Sequence, residues 1–546
     1  MKSFLLPLMA FILILAIPLS LYGRDDYPDH DRLAARLKSL EADYPQYVSL
    51  QSLTQTAGGK DIWVLSIGTD NLSDRPAIAV AGGTEGDHLL GTELALRFAG
   101  MLLKETVSGK TGSLLDSVTF YVFPDMTPDA GEQYFLPLKY ERKGNANSSY
   151  TDRYGNAIDH PYTDLNNDGM ITLMRVRDRN GDWIPHPDDD RVMVKADKGI
   201  GETGRYSVYP EGVDLLKDDR WTEAGVNFNR NFSFKFPNFT SGAGEHAVSE
   251  EESRAIASFL FDAKNVYAVV SFGSANNLTE PLSYNEREAS GRIITGILEG
   301  DARVNQMVSR KYNEITGDIS GPAAAGSDGD FFQWAYFHYG RHSFSTPGWS
   351  FPREQPGNGG RRSRSERDDC PALHFLKWAD EQGIDDVFIP WESAVHPMFP
   401  GKEIEVGGIR PFAMKNPPFE MTADIATSHY RFILALAEMR PEIRIRNVET
   451  EVLGRGVYRI TADIVNSGIL PTVSELGERV RWVQKTVVRL ETDEGQETLS
   501  GNRIEVLDAV QGGKTETRSW LIKGRGSVKL RAGAENTGFD EVIIRL

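Results

Sequence analysis

The stretch AIAVAGGTEGDHLLGTELALRFAG, residues 77–100, decides the fold class of this chain. It begins as a short apolar strand, and the segment from Leu89 to Glu105 has the spacing of a long amphipathic helix. The alternation recurs elsewhere, with strands predicted at residues 62–68, 118–124 and 266–272 and helices at 33–40 and 250–261. It predicts an α/β domain with a largely parallel sheet. Ligands of such sheets bind at the carboxyl ends of strands, so we expect the chemistry in the loops after Val80 and Val270.

The pattern changes after Pro441. From residue 443 onward, segments such as IRIRNVETEVLGRGVYRITADIV alternate polar with β-branched residues between Gly and Asn turns, and no helical period is present. This alternation predicts an antiparallel β-sandwich of about a hundred residues. The predicted organisation is a leader at residues 1–23, an α/β domain at 24–440 and the sandwich at 441–546.

Composition and charge restrict the class of protein. The chain has 546 residues, 40% of them apolar and 25% charged, which is typical of globular proteins. Residues 1–23 combine Lys2, an apolar run and small residues, which predicts a signal peptide and a secreted or periplasmic protein without a stable membrane span after cleavage; an uncleaved anchor is the alternative. The remaining 59 basic and 78 acidic side chains give a net charge of −19, which disfavours nucleic acid as a partner.

Three segments carry a resemblance to a known family. They are residues 79–100, GVNFNRNF at 225–232 and DFFQWAYFHYGRHSFSTP at 330–347. Their order and approximate spacing resemble the zinc carboxypeptidases, specifically the secreted bacterial type with a C-terminal β-sandwich. The resemblance implies a mixed sheet flanked by helices, a bound zinc ion and hydrolysis of C-terminal peptide bonds.

The positions that hold zinc in the family are altered here. The family's first loop supplies a histidine and, three residues later, a glutamate, whereas this chain has Glu85 and His88 in the exchanged order. The family's third ligand is a histidine, and Gly273 stands in its place. A catalytic zinc site needs three protein ligands, so zinc is expected to be loose or absent unless another side chain enters, for which His246 is a candidate.

The family's general base is a glutamate, and its position is held by Pro347. Proline has no group that accepts a proton, and Glu354 replaces it only if the following loop folds back. The sequence therefore predicts no catalytic residue.

The residues that hold a peptide's terminal carboxylate in the family are retained as Asn229 and Arg230. The planar guanidinium of arginine donates two parallel hydrogen bonds to a carboxylate, which suits this role. The alternative is structural, with Arg230 paired to a neighbouring acid and Asn229 capping a turn. Asn227 stands where the family usually has aspartate.

A separate motif, DLNNDGMIT at residues 164–172, resembles a calcium loop. Asp164, Asn166 and Asp168 reproduce its alternating oxygen ligands, but the glutamate expected at the twelfth position is Arg175. Calcium binding and a turn whose polar groups bond to their own backbone remain equal alternatives.

These observations favour one function over two others. The leading hypothesis is a pseudopeptidase with a degenerate metal site that binds peptide or protein C-termini through Asn229 and Arg230. One alternative is an active metallocarboxypeptidase with a rearranged zinc site. The other is a surface interaction protein in which the sandwich makes the contacts.

Overall fold

The computed structural model describes residues 26–147, 150–151, 157–158, 161–213, 225–317, 319, 321–352 and 370–546. The predicted leader and Glu354 lie outside these ranges. The helices of the described part are α1 (His30–Asp43), α2 (Leu89–Val107), α3 (Pro128–Gly131), α4 (Glu251–Asp262), α5 (Glu286–Ala289), α6 (Glu299–Thr316), α7 (Phe331–Phe337), α8 (Pro371–Gln382) and α9 (Thr422–Glu438). Its strands are β1 (Val48–Gln55), β2 (Asp61–Ile67), β3 (Ala77–Ala81), β4 (Thr119–Phe123), β5 (Tyr150–Thr151), β6 (Ala157–Ile158), β7 (Leu173–Arg177), β8 (Trp183–His186), β9 (Asp189–Lys195), β10 (Tyr206–Pro210), β11 (Val266–Phe272), β12 (His342–Thr346), β13 (Phe388–Ser393), β14 (Ile404–Ile409), β15 (Ile443–Gly454), β16 (Val457–Asn466), β17 (Val487–Thr492), β18 (Glu497–Ser500), β19 (Ile504–Val506), β20 (Thr515–Lys523), β21 (Ser527–Ala534) and β22 (Gly538–Arg545).

A six-stranded mixed sheet with the order β1-β2-β4-β3-β11-β12 forms the centre of the α/β part. Strands β4, β3, β11 and β12 run parallel, while β1 and β2 pair antiparallel. The side chains of β3 alternate between two apolar layers, so that Ile78 and Val80 pack with α2 and α9 while Ala77 and Ala79 pack with α4 and α7. Burial on both faces explains why β3 reads as an uninterrupted apolar run.

A second six-stranded sheet, with the order β13-β14-β7-β10-β8-β9, was not expected from the sequence. Its pairings are antiparallel and bring residues 173–210 together with residues 388–409. Its own apolar cluster is small and includes Met174, Val176 and Val406. Four of its strands, β7 to β10, lie between the first two segments that resemble the family, and β13 and β14 follow the third.

The C-terminal residues form two four-stranded antiparallel sheets, β15-β16-β20-β18 and β19-β17-β21-β22. Ile460 and Trp520 from the first sheet share one apolar cluster with Leu490 and Leu530 from the second. Two antiparallel sheets that bury a common core fit a β-sandwich.

The sandwich contacts the α/β part near the start of β12. The Ser474 hydroxyl donates to the Gly340 carbonyl at 3.1 Å, and the backbone N–H of Glu475 donates to the Asp301 carboxylate at 2.8 Å. A Cβ atom at residue 340, whose φ is +75°, would lie 2.9 Å from a methyl group of Val483. Glycine at this position thus permits both the left-handed backbone and the close approach of the sandwich.

The predicted fold class is confirmed, with a mixed sheet flanked by helices and an antiparallel β-sandwich after it. The domain boundaries at 23/24 and 440/441 stay predictions. None of the helices in the described ranges combines the length and the hydrophobicity that a membrane span requires.

A buried pair of carboxylates fixes the start of α4. The Asn145 amide donates to Glu250 at 2.9 Å and to Glu252 at 2.7 Å, and all three side chains are buried. Burial raises the pKa of Glu252 to about 7. The folded chain therefore holds a proton on Glu252 that the unfolded chain releases from about pH 4.5 upward.

Between about pH 4.5 and 7 the folded state binds more protons than the unfolded state, so stability falls as pH rises through this window. We expect Glu252→Gln, which retains an acceptor and has no charge, to be more stable than the wild type at pH 8 by up to about 3 kcal/mol, and to show little of this gain at pH 4.5. Thermal melts at both pH values measure the difference. Glu245→Gln, on an exposed loop, is the matched control, and an equal gain at both pH values would contradict the assignment.

Candidate functional site

The candidate cleft lies at the carboxyl ends of β3 and β11, where both loops identified in the sequence meet. The loop of residues 82–88 joins β3 to α2, and Gly273 follows β11 directly. The Thr84 hydroxyl connects the two loops by donating to the Phe272 carbonyl at 3.0 Å. The parallel pairing of β3 with β11 produces this proximity, since it places both strand ends at the same edge of the sheet.

Glu85 joins the predicted metal site to the predicted substrate site. Its Oε1 atom accepts hydrogen bonds from the Ser274 backbone N–H at 3.1 Å and from the Asn229 amide at 3.3 Å. The carboxylate of Glu85 is buried, so these donors partly replace the water that it has lost. Glu85 and Asn229 are 144 residues apart in sequence, and the fold brings them into direct contact.

His88 is held by a carbonyl group. Its Nε2 atom lies 2.9 Å from the Pro347 carbonyl oxygen, and because a carbonyl only accepts, Nε2 carries the proton. The lone pair is therefore on Nδ1, which is buried, has no partner among the described residues and faces Gly91. Burial lowers the pKa of His88, so the ring is neutral.

Residue 273 has no room for a side chain in this arrangement. A Cβ atom there would lie 2.5 Å from the Thr84 hydroxyl oxygen, well inside van der Waals contact. The volume that a ligand side chain would need is thus occupied by Thr84.

A lysine that the sequence reasoning missed supplies positive charge to the cleft. The Lys415 ammonium pairs with the carboxylate of Asp87, which is fully buried. Burial by itself raises the pKa of Glu85, but the positive charge of Lys415 and the hydrogen bond with Ser274 outweigh it, so the pKa lies below its ordinary value. Glu85 is therefore ionised at neutral pH, and Lys415 is its nearby counter-charge.

The side chains present do not fit a catalytic zinc ion. The Glu85 carboxylate is engaged by Ser274 and Asn229 and residue 273 is blocked by Thr84, so the Nδ1 lone pair of His88 is the one open donor at these three positions. Within the described ranges no group of three or more His, Cys, Asp or Glu side chains converges in a way that could hold a metal ion. His246 is exposed, and its Nδ1 hydrogen-bonds with the carbonyl of the adjacent Ala247 at 3.1 Å. A zinc site with three protein ligands is not formed by this donor set.

Asn229 and Arg230 lie in a short helical turn, Phe228–Arg230, that Asn227 caps by accepting from the Asn229 backbone N–H at 2.9 Å. The Asn229 amide oxygen accepts from the Phe331 N–H at 3.3 Å, which links it to the start of α7. The Arg230 guanidinium donates to the Thr240 hydroxyl at 3.1 Å. Among the described residues no carboxylate pairs with Arg230, so the structural alternative for this arginine gains no support.

Asp330 is a second buried acid that sequence reasoning did not single out. Its Oδ1 accepts from the Gln333 N–H at 2.7 Å and caps α7, and its Oδ2 accepts from the Ser327 N–H at 2.6 Å. Burial raises the pKa of Asp330 to about 7. An Asp three residues before a Gln at the start of an aromatic-rich helix was the available capping signal.

The side-chain oxygen atoms of the loop at residues 164–172 accept hydrogen bonds from within the loop itself. Both carboxylate oxygens of Asp164 accept backbone N–H bonds, at 2.7 Å from Asn167 and 2.8 Å from Gly169. Asp168 accepts from the Met170 N–H at 2.8 Å and from the Asn166 amide at 3.0 Å. This geometry favours the turn over the calcium site that was its alternative.

A cavity of about 240 Å³ is connected through two hydrogen bonds to the turn that bears Asn229, although no residue of that turn lines it. Gln333 lines the cavity and donates to the Ser327 carbonyl at 2.7 Å, while the Ser327 hydroxyl donates to the Asn229 carbonyl at 3.3 Å. His342 also lines it, is nearly fully buried, and has no partner for its Nε2 among the described residues. The aromatic part of the wall consists of Phe332, Tyr336, Phe337 and Phe344.

Comparison with known proteins finds similarity over parts of the chain. A family model described as zinc carboxypeptidase matches residues 33–180, and one described as a domain of unknown function (DUF8731) matches residues 442–545. Mouse carboxypeptidase M is 27% identical over 125 residues, which cover 22% of this chain and 28% of that protein. Mouse carboxypeptidase D is 28% identical over 160 residues, which cover 29% of this chain and 11% of that protein.

A solved structure of carboxypeptidase A from Helicoverpa armigera superposes with a TM-score of 0.35 at 14% identity, over 66% of this chain and 72% of that chain. The alignments with the two mouse proteins span less than a third of either relative's length. The resemblance seen in the sequence is confirmed over residues 33–180, and that segment is similar to the zinc carboxypeptidases.

Proposed function

We propose that this protein binds the C-termini of peptides or proteins without cleaving them, with Arg230 and Asn229 holding the terminal carboxylate. The observation that carries the proposal is the guanidinium of Arg230, which is next to Asn229 in the chain, donates to the Thr240 hydroxyl and has no carboxylate partner among the described residues. An arginine in such a setting is the side chain best suited to a planar anion.

The local structure supports a fixed position for this cation. Gly329, with a φ of +79°, approaches the Arg230 carbonyl so closely that a Cβ atom there would be 2.6 Å away. The Phe232 N–H donates to the Gly329 carbonyl at 2.8 Å, and the Gly329 N–H donates to the Phe234 carbonyl at 2.9 Å. The backbone that follows Arg230 is thereby anchored, which lowers the entropy lost when a ligand binds.

Hydrolysis has no assigned residues in this cleft. The position of the general base is Pro347, and its carbonyl is engaged by His88. The donor set does not fit zinc, and the family position of the general base has no side chain that accepts a proton, which supports the absence of hydrolysis. Retention of a ligand anchor together with loss of the hydrolytic groups supports binding rather than turnover.

The aromatic cavity that Gln333 and Ser327 connect to Asn229 is suited to the last side chain of such a peptide. An aromatic side chain fills a volume of this order, and the neutral His342 offers a hydrogen-bonding nitrogen to a phenol. We therefore propose a preference for peptides that end in Phe or Tyr. The leader-like residues 1–23 support a secreted or periplasmic setting, where such ligands are released by other peptidases.

Replacement of Arg230 by Ala is expected to weaken binding of a peptide with a free C-terminus about ten- to a hundredfold, since a charge-assisted hydrogen bond contributes about 1.5–3 kcal/mol. Isothermal titration with a short peptide and its C-terminally amidated form measures the loss. Arg525→Ala, on the exposed surface of the sandwich, is the matched control and should bind like the wild type.

Equal affinity of the wild type for the free and amidated peptides would rule out the carboxylate anchor. Release of the last residue during the titration, followed by mass spectrometry, would instead support the active carboxypeptidase that was the alternative. Binding that survives Arg230→Ala and is lost only in sandwich variants would support the surface interaction protein.

The cavity leads to a second expectation. A peptide ending in Phe should bind about tenfold or more tightly than the same peptide ending in Gly, because burial of an aromatic side chain contributes about 1.5–3 kcal/mol. Ala325→Trp places an indole at the exposed mouth of the cavity and should remove most of this difference. Leu453→Trp, on the exposed sandwich, should retain it; an unchanged preference in Ala325→Trp would exclude the cavity as the side-chain pocket.

A further inference from the structure

Two buried carboxylates lie on the loop at the carboxyl end of β3, and their negative charge must be compensated. Asp87 is fully buried and Glu85 is 8% exposed. A buried carboxylate without a partner is costly, and removing one member of a buried pair is among the larger single-residue losses of stability. In a zinc site the metal ion provides this compensation. Here the donor set does not fit zinc, so another cation is required.

Lys415 provides this cation through an ion pair with Asp87. Its ammonium group pairs with one oxygen of Asp87, and it comes from the connection between β14 and α9, 328 residues away in sequence. The adjacent Asn416 fixes the approach in two ways. Its amide donates to the Asp87 carbonyl at 3.0 Å, and its amide oxygen accepts from the Leu90 N–H at 3.0 Å.

The connection that carries Lys415 is anchored at a second point. The Phe412 N–H donates to the Glu141 carboxylate at 3.0 Å, and Phe412 has a φ of +70°, a left-handed conformation that is unusual for an aromatic residue. Such backbone persists only where surrounding contacts hold it. The backbone of the segment that carries Lys415 is therefore held in place by hydrogen bonds on Phe412 and Asn416. These contacts fix where the lysine side chain starts.

Of the three positions that hold zinc in the family, two are engaged or filled, and at the third only the Nδ1 lone pair of His88 is open. Thr84 fills the place of a side chain at residue 273, Asn229 and Ser274 hold Glu85, and the Pro347 carbonyl holds His88. We propose that the Lys415 ammonium permanently replaces the charge of the metal ion, so that the cleft is folded and competent without zinc. The Lys415 side chain is 35% exposed, but its partner Asp87 is fully buried and its backbone is held by Asn416, which makes the pair part of the fold.

A double-mutant cycle tests the proposal. Lys415→Met leaves Asp87 buried and unpaired, so we expect the melting temperature to fall by several degrees, and Asp87→Asn in the same chain to restore more than half of the loss. Lys198→Met is the matched control, because Lys198 forms an exposed ion pair with Asp182 at 2.8 Å and such pairs contribute little. Lys415→Arg retains the positive charge and is expected to fold.

Metal measurements on the wild type provide a readout that does not depend on any variant folding. Purified wild-type protein should contain far less than one zinc per chain, and its melting temperature should not change when zinc or a chelator is added. A near-stoichiometric zinc content with a melting temperature lowered by the chelator would overturn the proposal. So would a loss in Lys415→Met no larger than that in Lys198→Met.

Discussion

A carboxylate that is withdrawn from water has to be paired, hydrogen-bonded or protonated, and this constraint shapes the cleft. Three acids are buried within a short distance of one another, and each meets the requirement differently. Asp87 is paired with an ammonium group, Glu85 is held by an amide and a backbone N–H, and Asp330 caps a helix with its pKa raised to about 7 by burial. The surrounding loops are positioned by these contacts.

The fold brings those acids together at one edge of the central sheet. Parallel pairing of β3 with β11 places two strand ends at one edge, and the turn that bears Asn229 reaches the same edge through Glu85. The start of α7 is attached through the Phe331 N–H and the Asn229 amide oxygen. The cleft is thus assembled from distant parts of the chain, including the segment that carries Lys415.

Local sequence was sufficient to predict the central sheet, the sandwich and the residues at the strand ends. This is because apolar periodicity and motif order are local properties. Local sequence was insufficient to predict the second sheet. Strands β8 and β13 are short, and each contains a proline, which argues against a strand. Lys415 was missed for a different reason. A lysine in a turn carries no signal of its own, and its contact with Asp87 depends on the complete fold. The role of His88 likewise depends on the Pro347 carbonyl, which only the three-dimensional arrangement places beside the ring.

The attachment of the sandwich near Gly340 has a mechanical consequence. Gly340 lies two residues before β12, the edge strand of the central sheet, and β12 leads directly into Pro347. One five-residue strand therefore connects the surface that carries Ser474 and Val483 with the carbonyl that orients His88. A chain shortened at residue 441 would lose the contacts of the sandwich with Gly340, which hold the start of that strand. Truncation would therefore change the position of the Pro347 carbonyl in the cleft as well as remove the sandwich.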